Sequence, residues 1–145
     1  VIAVFALPAN LRLARPGARL GRLPWGVAAP VGVIWLMAVL VLAQAPEQAR
    51  PGLLWGQTWS ACPLNISLLS VPAFVMLMWA MRGLAPTQSR LAGAAVGLLS
   101  GAIGAMAYTL HCPEMSAPFL AIWYVAGVVV PTVAGALLGP RMLRW

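Results

Sequence analysis

The sequence predicts an all-α protein, a multi-pass bundle of transmembrane helices, and three observations lead to this prediction. Of the 145 residues, 62% are hydrophobic and only 8% are charged, whereas a soluble domain usually carries about a quarter charged residues. Four apolar runs are long enough to cross a bilayer, which takes roughly 20 residues of helix. Arginines collect between alternate runs. Because backbone polar groups in lipid must be satisfied within their own segment, the runs should be helices.

The four predicted spans form a single transmembrane domain over residues 1–145. Residues 1–8 are apolar and are typical of the last turns of a preceding helix. We therefore expect that the N-terminal part of the protein is missing from this chain. In chain order, the four full spans cover about residues 23–45, 64–81, 91–110 and 117–139.

Glycines recur at intervals of four residues in the third and fourth spans. This spacing places them on one face of each helix, where the small side chain lets another helix approach closely. Packing between helices of one chain is one interpretation, and a seam between two copies of the chain in a homo-oligomer is the other. The candidate helix-packing residues are Gly93, Gly97, Gly101, Gly135 and Gly139.

The distribution of charge between the spans predicts the orientation in the membrane. One side carries eight arginines and no acidic residue, and the other carries Arg50 with both glutamates. Arginine-rich loops stay in the cytoplasm, so the C-terminus is also expected there. The net charge of +7 is then a signal of topology, and no direct nucleic-acid binding is expected. The cytoplasmic basic loop holds Arg12, Arg15, Arg19 and Arg22.

One short turn collects the scarce reactive side chains of the chain. The sequence "HCPEMS" holds the only His, His111, with Cys112, Glu114 and Met115. The other cysteine, Cys62, precedes the second span on the same, extracytoplasmic side. A bacterial periplasm is oxidising, so a disulfide between the two thiols could persist there.

Three interpretations of this turn remain open. The first is a structural disulfide between Cys62 and Cys112, and the second is a redox or metal sensor whose thiols change state. The third is a fixed metal site formed by both thiols and His111, with Glu114 and Met115 as further candidates. With the thioether of Met115 this set suits a soft ion such as Cu(I) or another heavy-metal ion, and without Met115 it suits zinc. Glu114 and Ser116 also fit ordinary capping of the following helix.

Most enzyme chemistry is excluded by what the sequence lacks. The chain has two acidic residues, both outside the spans, so no carboxylate pair is available for acid–base catalysis. No nucleotide-binding loop and no zinc-protease signature occurs. No charged residue lies deep in a span, where ion-coupled transporters usually need one. The protein is therefore not expected to be an enzyme.

A resemblance to a known family adds to this reading. From about residue 10 to residue 145 the chain resembles the NrsF-type transmembrane anti-sigma factors, negative regulators of sigma F. The segments that carry the resemblance are "WSACPLNISLLSVP", "RGLAPTQSRLAGAAVGLLSGAIGAMAYTLHCPEMSAPFLAIWY" and "GALLGPRMLRW". The second segment is fairly specific, because a helix rich in Gly and Ala runs directly into "LHCPE".

The resemblance implies a six-helix protein of the bacterial inner membrane. Its cytoplasmic N-terminal segment, expected to be missing here, would hold an extracytoplasmic-function sigma factor. Two periplasmic cysteines, by position Cys62 and Cys112, would sense oxidants or heavy metals such as Cu and release the sigma factor. The alternatives are a copper- or heavy-metal-handling membrane protein, and a structural subunit of a membrane complex with a stapling disulfide. In each case the lipid bilayer surrounds the chain.

Overall fold

Long apolar stretches fold into helices throughout the computed structural model, which describes residues 2–14, 23–84 and 86–143. No strand occurs in these ranges, so the all-α prediction is confirmed. The helices are α1 (Ile2–Leu13), α2 (Leu23–Gln44), α3 (Arg50–Trp55), α4 (Cys62–Arg82), α5 (Ser89–Thr109) and α6 (Ala117–Met142).

Four of the described helices, α2, α4, α5 and α6, are long and apolar enough to cross a membrane. Their apolar stretches contain 20 to 26 residues, and at about 1.5 Å per residue each reaches about 30 Å or more. That length matches the hydrocarbon core of a bilayer. α6 contains one π-helical turn, Leu120–Tyr124, a local widening that often occurs at functional sites.

α5 lies at the centre of the bundle because its small side chains let other helices approach it. In its most apolar stretch 61% of the residues are buried, and its interface with α6 is the most extensive of the described helix pairs. Gly93 lies against the backbone of Gly135, and Gly97 lies against the backbone of Pro131. Packing within one chain therefore accounts for the spacing of these glycines.

α2 lies at the periphery, and its apolar side chains point outward. Only 6% of its most apolar stretch is buried; Trp35 and Leu36, for example, are exposed. Apolar side chains exposed along a whole helix are compatible with contact to lipid, which is as apolar as they are.

The basic segment that follows α1 differs from the sequence prediction at its start. Arg12 lies in the last turn of α1, which continues to Leu13, whereas the sequence predicted Arg12 in the cytoplasmic basic loop. The side chain of Asn10 is buried against α5. It therefore does not form the local hydrogen bonds with which Asn often starts a turn, and the helix continues past this residue. Arg15, Arg19 and Arg22 lie outside the described residues.

Two clusters of buried side chains lie at opposite ends of the bundle. One contains Met81 near the end of α4 and Ala92 near the start of α5. The other contains Cys62 at the start of α4 and Cys112 just beyond the end of α5. The same two helices therefore connect the cysteines with the other face of the bundle.

Candidate functional site

The two cysteines lie in one buried cluster at the end of the bundle. Cys62 is the first residue of α4 and Cys112 follows the last turn of α5. Cys62 is 0% exposed and Cys112 is 5% exposed, and both thiols are free. Tertiary packing thus brings together two residues that are 50 positions apart in the sequence.

Aromatic side chains surround the thiols. The rings of Tyr108 and Tyr124 lie 5.9 Å apart between centroids, and both belong to the same buried cluster, with Phe119. The hydroxyl group of Tyr124 is buried. The thiols are therefore packed among aromatic side chains, two of which carry hydroxyl groups.

A short segment, Leu53–Thr58, contacts the turn that holds Cys112. The carboxylate of Glu114 accepts a hydrogen bond from the backbone N–H of Gln57 and one of 3.0 Å from the Thr58 hydroxyl. The carboxylate packs directly against Gly56, whose φ of +53° is rarely adopted by other residues. Glu114 thus fastens the segment to the turn.

Thr58 joins the segment to both cysteines. Its carbonyl accepts a 2.9 Å hydrogen bond from the backbone N–H of Cys62. Its hydroxyl oxygen lies 3.9 Å from the sulfur of Cys112. The sulfur of Cys112 also lies 3.9 Å from the backbone carbonyl oxygen of Glu114.

Side chains from the start of α6 hold the other end of the segment. The Ser116 hydroxyl donates a 3.2 Å hydrogen bond to the carbonyl of Leu53, and the Trp123 indole N–H donates a 2.9 Å bond to the carbonyl of Leu54. Trp123 also packs against Trp55 and Trp59, with ring centroids 5.7 and 5.3 Å away.

The expected capping of α6 by Glu114 and Ser116 is wrong. Ser116 is the N-cap residue of α6, but its side chain makes no capping hydrogen bond. Both side chains turn instead to the segment Leu53–Thr58, some 57 to 63 positions away in the sequence. A local pattern cannot reveal such partners, because they exist only after the bundle has assembled.

The described residues contain no group of three or more His, Cys, Asp or Glu side chains arranged to hold a metal ion. His111 and Met115 are exposed, in contrast to the buried cysteines. What the structure brings together is a pair of thiols, with Glu114 facing the Leu53–Thr58 segment. Two thiols can bind a soft ion as thiolates, or become oxidised to a disulfide.

Several residues of this site gave no signal in the sequence. In the sequence, Thr58 and Trp123 are flanked by apolar or uncharged residues, and neither belongs to a recognised motif. Asn10 was expected in a loop, but it is buried between α1 and α5. Its amide nitrogen donates 2.9 Å hydrogen bonds to the carbonyls of Ala6 and Ala95, and its amide oxygen has no partner. The only sign of this in the sequence was that Asn10 is a single amide side chain flanked by apolar residues.

Comparisons with known proteins support the resemblance drawn from the sequence. The profile of the family described as "NrsF: Negative regulator of sigma F" matches residues 1–145. The "Probable anti-sigma-F factor NrsF" of Azospira oryzae is 47% identical over 144 residues, which cover 99% of this chain and 68% of that protein. The "Anti-sigma-F factor NrsF" of Caulobacter vibrioides is 41% identical over 136 residues, covering 92% of this chain and 63% of that protein. No solved structure matches the chain significantly.

Proposed function

The chain belongs to the NrsF family of negative regulators of sigma F, and from this premise we propose that it is part of a membrane-embedded anti-sigma factor. In this proposal it is a regulatory protein, not an enzyme, and its partner is a sigma factor of the extracytoplasmic-function class. The observation that carries the proposal is the family match over the whole chain. The chain spans about two thirds of the length of the relatives.

We place the stimulus at Cys62 and Cys112, on the periplasmic side of the bacterial inner membrane. Their burial in one cluster supports this assignment, because a ligand or bond that joins the two sulfurs would link the start of α4 to the end of α5. A soft metal ion would bind both thiolates and displace two protons. Hydrogen peroxide would take two electrons and two protons from the two thiols, leaving a disulfide and two water molecules.

α4 and α5 give a physical route from the thiols to the opposite, cytoplasmic face. Met81 and Ala92, from the far ends of these helices, pack together in the second buried cluster. A shift of the helices at the cysteine end would therefore disturb that cluster, and the sigma factor would be released. The stimulus must bind or form more favourably in the released state, since equal affinity for both states shifts nothing.

The test uses the full-length protein with a reporter for sigma-dependent transcription in cells exposed to Cu, Cd or peroxide. We expect Cys62→Ser and Cys112→Ser each to hold the reporter low under all stimuli, because one sulfur cannot replace the pair. Leu110→Ala is the matched control: its side chain is exposed and is not a candidate ligand, so we expect a normal response.

A second measurement separates sensing from binding. Full-length wild-type protein and Cys112→Ser should both co-purify a sigma factor in mild detergent without stimulus. Only the wild-type protein should lose that sigma factor after the stimulus. An unchanged transcriptional response in Cys112→Ser would reject the thiol mechanism, and absence of any co-purified sigma factor would favour a metal-handling protein instead.

A further inference from the structure

The sensing proposed for the two thiols poses a problem of access. Cys62 and Cys112 are 0% and 5% exposed, yet a metal ion or oxidant must come into contact with their sulfur atoms. The reagent must therefore pass through a part of the protein that can open. The segment Leu53–Thr58 lies at the cysteine end of the bundle and contacts the turn that contains Cys112.

We propose that the segment Leu53–Thr58 is a lid, closed over the two thiols by Glu114, and that opening of this lid sets how fast a reagent reaches them. This inference rests on the proposed function only for its biological role. The access it describes is a property of the structure alone.

Glu114 is the side chain that best accounts for closure. Its two oxygens accept hydrogen bonds from two successive residues of the lid, Gln57 and Thr58. Hydrogen bonds to an ionised carboxylate are shorter and roughly twice as strong as those between neutral groups. The hydrogen bonds that the Ser116 and Trp123 side chains donate to the lid connect neutral groups.

The lid itself has the properties of a segment that opens without unfolding the bundle. α3 has 6 residues, none of them buried. Such a helix is too short to be stable by itself, so its position depends on contacts with the rest of the chain. Arg50 donates hydrogen bonds to carbonyls at the end of α2, and Ser116 and Trp123 hold the C-terminal half of α3, which belongs to the lid. Gly56 supplies the positive φ that turns the backbone N–H of Gln57 toward the carboxylate.

The experiment measures the rate at which a charged, water-soluble maleimide labels each cysteine, assigned by mass spectrometry of peptides. It uses the full-length protein in lipid vesicles at neutral pH with a reductant that contains no thiol. We expect wild-type thiols to react far more slowly than in detergent-denatured protein. In Glu114→Ala, Cys112 should react about tenfold faster, a change that corresponds to about 1.4 kcal/mol.

Glu47→Ala is the matched control, because it removes the only other acidic residue of the chain from an exposed position in the segment that precedes α3. Its labelling rate should equal that of the wild-type protein. Thr58→Val, which removes one of the two hydrogen bonds and keeps the shape, should raise the rate about threefold. If the elution volume and circular dichroism of Glu114→Ala show that this variant does not fold, the labelling rate of Thr58→Val tests the lid instead.

Two results would overturn the lid. The first is a folded Glu114→Ala variant in which Cys112 is labelled at the wild-type rate. If Glu114→Ala does not fold, the same result in Thr58→Val has the same meaning. The other is wild-type labelling as fast as in the denatured protein. These outcomes are independent of any sigma factor. Failure of the Cys112→Ser reporter test would reject the proposed function and leave the lid intact, and unchanged labelling would reject only the lid.

Discussion

Replacing Gly97 by alanine should separate α5 from α6 and destabilise the bundle. A Cβ atom at Gly97 would lie 2.6 Å from the carbonyl carbon of Pro131 and 2.6 Å from the Cα of Thr132. The carbonyl oxygen of Pro131 would lie closer still. Ordinary van der Waals contact begins at 3.4 Å, so the backbone of α6 must retreat by at least about 0.8 Å. The atoms are backbone atoms of a helix, which cannot rotate away as a side chain would.

The size of the effect follows from two opposing contributions. Forcing an extra methyl group into a packed interior costs about 1–3 kcal/mol, and a backbone obstacle places Gly97→Ala near the upper end. Alanine favours the helix over glycine by about 1 kcal/mol. We therefore expect a net loss of about 2 kcal/mol in the free energy of unfolding.

Gly32→Ala in α2 is the matched control, because a Cβ atom there would meet nothing within 4 Å. Only the helix preference acts at this position, so Gly32→Ala should be more stable than the wild-type protein by up to about 1 kcal/mol. The two alanine variants should therefore differ by about 3 kcal/mol.

The assay is equilibrium unfolding of the purified protein in detergent micelles, followed by tryptophan fluorescence. Gly97→Ala should unfold at lower denaturant than the wild-type protein, and Gly32→Ala at equal or higher denaturant. Equal free energies of unfolding for the two variants, within about 0.5 kcal/mol, would refute the claim that close backbone contact at Gly97 holds α5 against α6.

Two further predictions concern single hydrogen-bonding side chains. Asn10→Asp should lower the free energy of unfolding by at least about 2 kcal/mol, because a carboxylate would face two backbone carbonyl oxygens. Asn10→Leu only removes the hydrogen bonds, and it should lower the free energy of unfolding by about 0.6 kcal/mol. Equal thermal unfolding midpoints for these two variants would contradict the placement of Asn10. Trp123→Phe keeps the ring contacts but loses the hydrogen bond to Leu54, so maleimide should label Cys112 about threefold faster. An unchanged labelling rate would show that this bond does not hold the lid.

The sequence predicted the long helices well, and the short helix not at all. Cys62–Arg82 begins two positions before the predicted span 64–81 and ends one position after it. α3, in contrast, has 6 residues and depends on hydrogen bonds to the end of α2 and from Ser116 and Trp123. No periodic pattern of that length distinguishes a helix from a turn, so this part of the site could not be predicted.

The candidate site was partly visible in the sequence. Topology alone assigned Cys62 and Cys112 to the same side of the membrane, which is why a pair of thiols was expected. The sequence also suggested His111 as a third ligand, because it neighbours Cys112 along the chain. In the structure His111 is exposed and Cys112 is buried, since adjacent residues of a turn point in different directions. Whether metal recruits His111 stays a prediction.

The number of long helices and their approximate length follow from the sequence by itself, and so does the prediction of their orientation. The physical reason is that a bilayer requires each crossing segment to satisfy its own backbone hydrogen bonds and to carry apolar side chains. Each span therefore encodes its structure locally, and the arginines between spans encode the sidedness.

Only the tertiary structure decided which helix lies at the centre and which segment covers the thiols. Lipid and protein interior are both apolar, so hydropathy does not separate a lipid-facing helix from a buried one. α2 has a mean hydropathy of 2.4 in its most apolar stretch and is 6% buried, whereas α5 has 1.6 and is 61% buried. The central position follows from small residues that let backbones meet, and the cover over the thiols follows from hydrogen bonds between residues more than fifty positions apart.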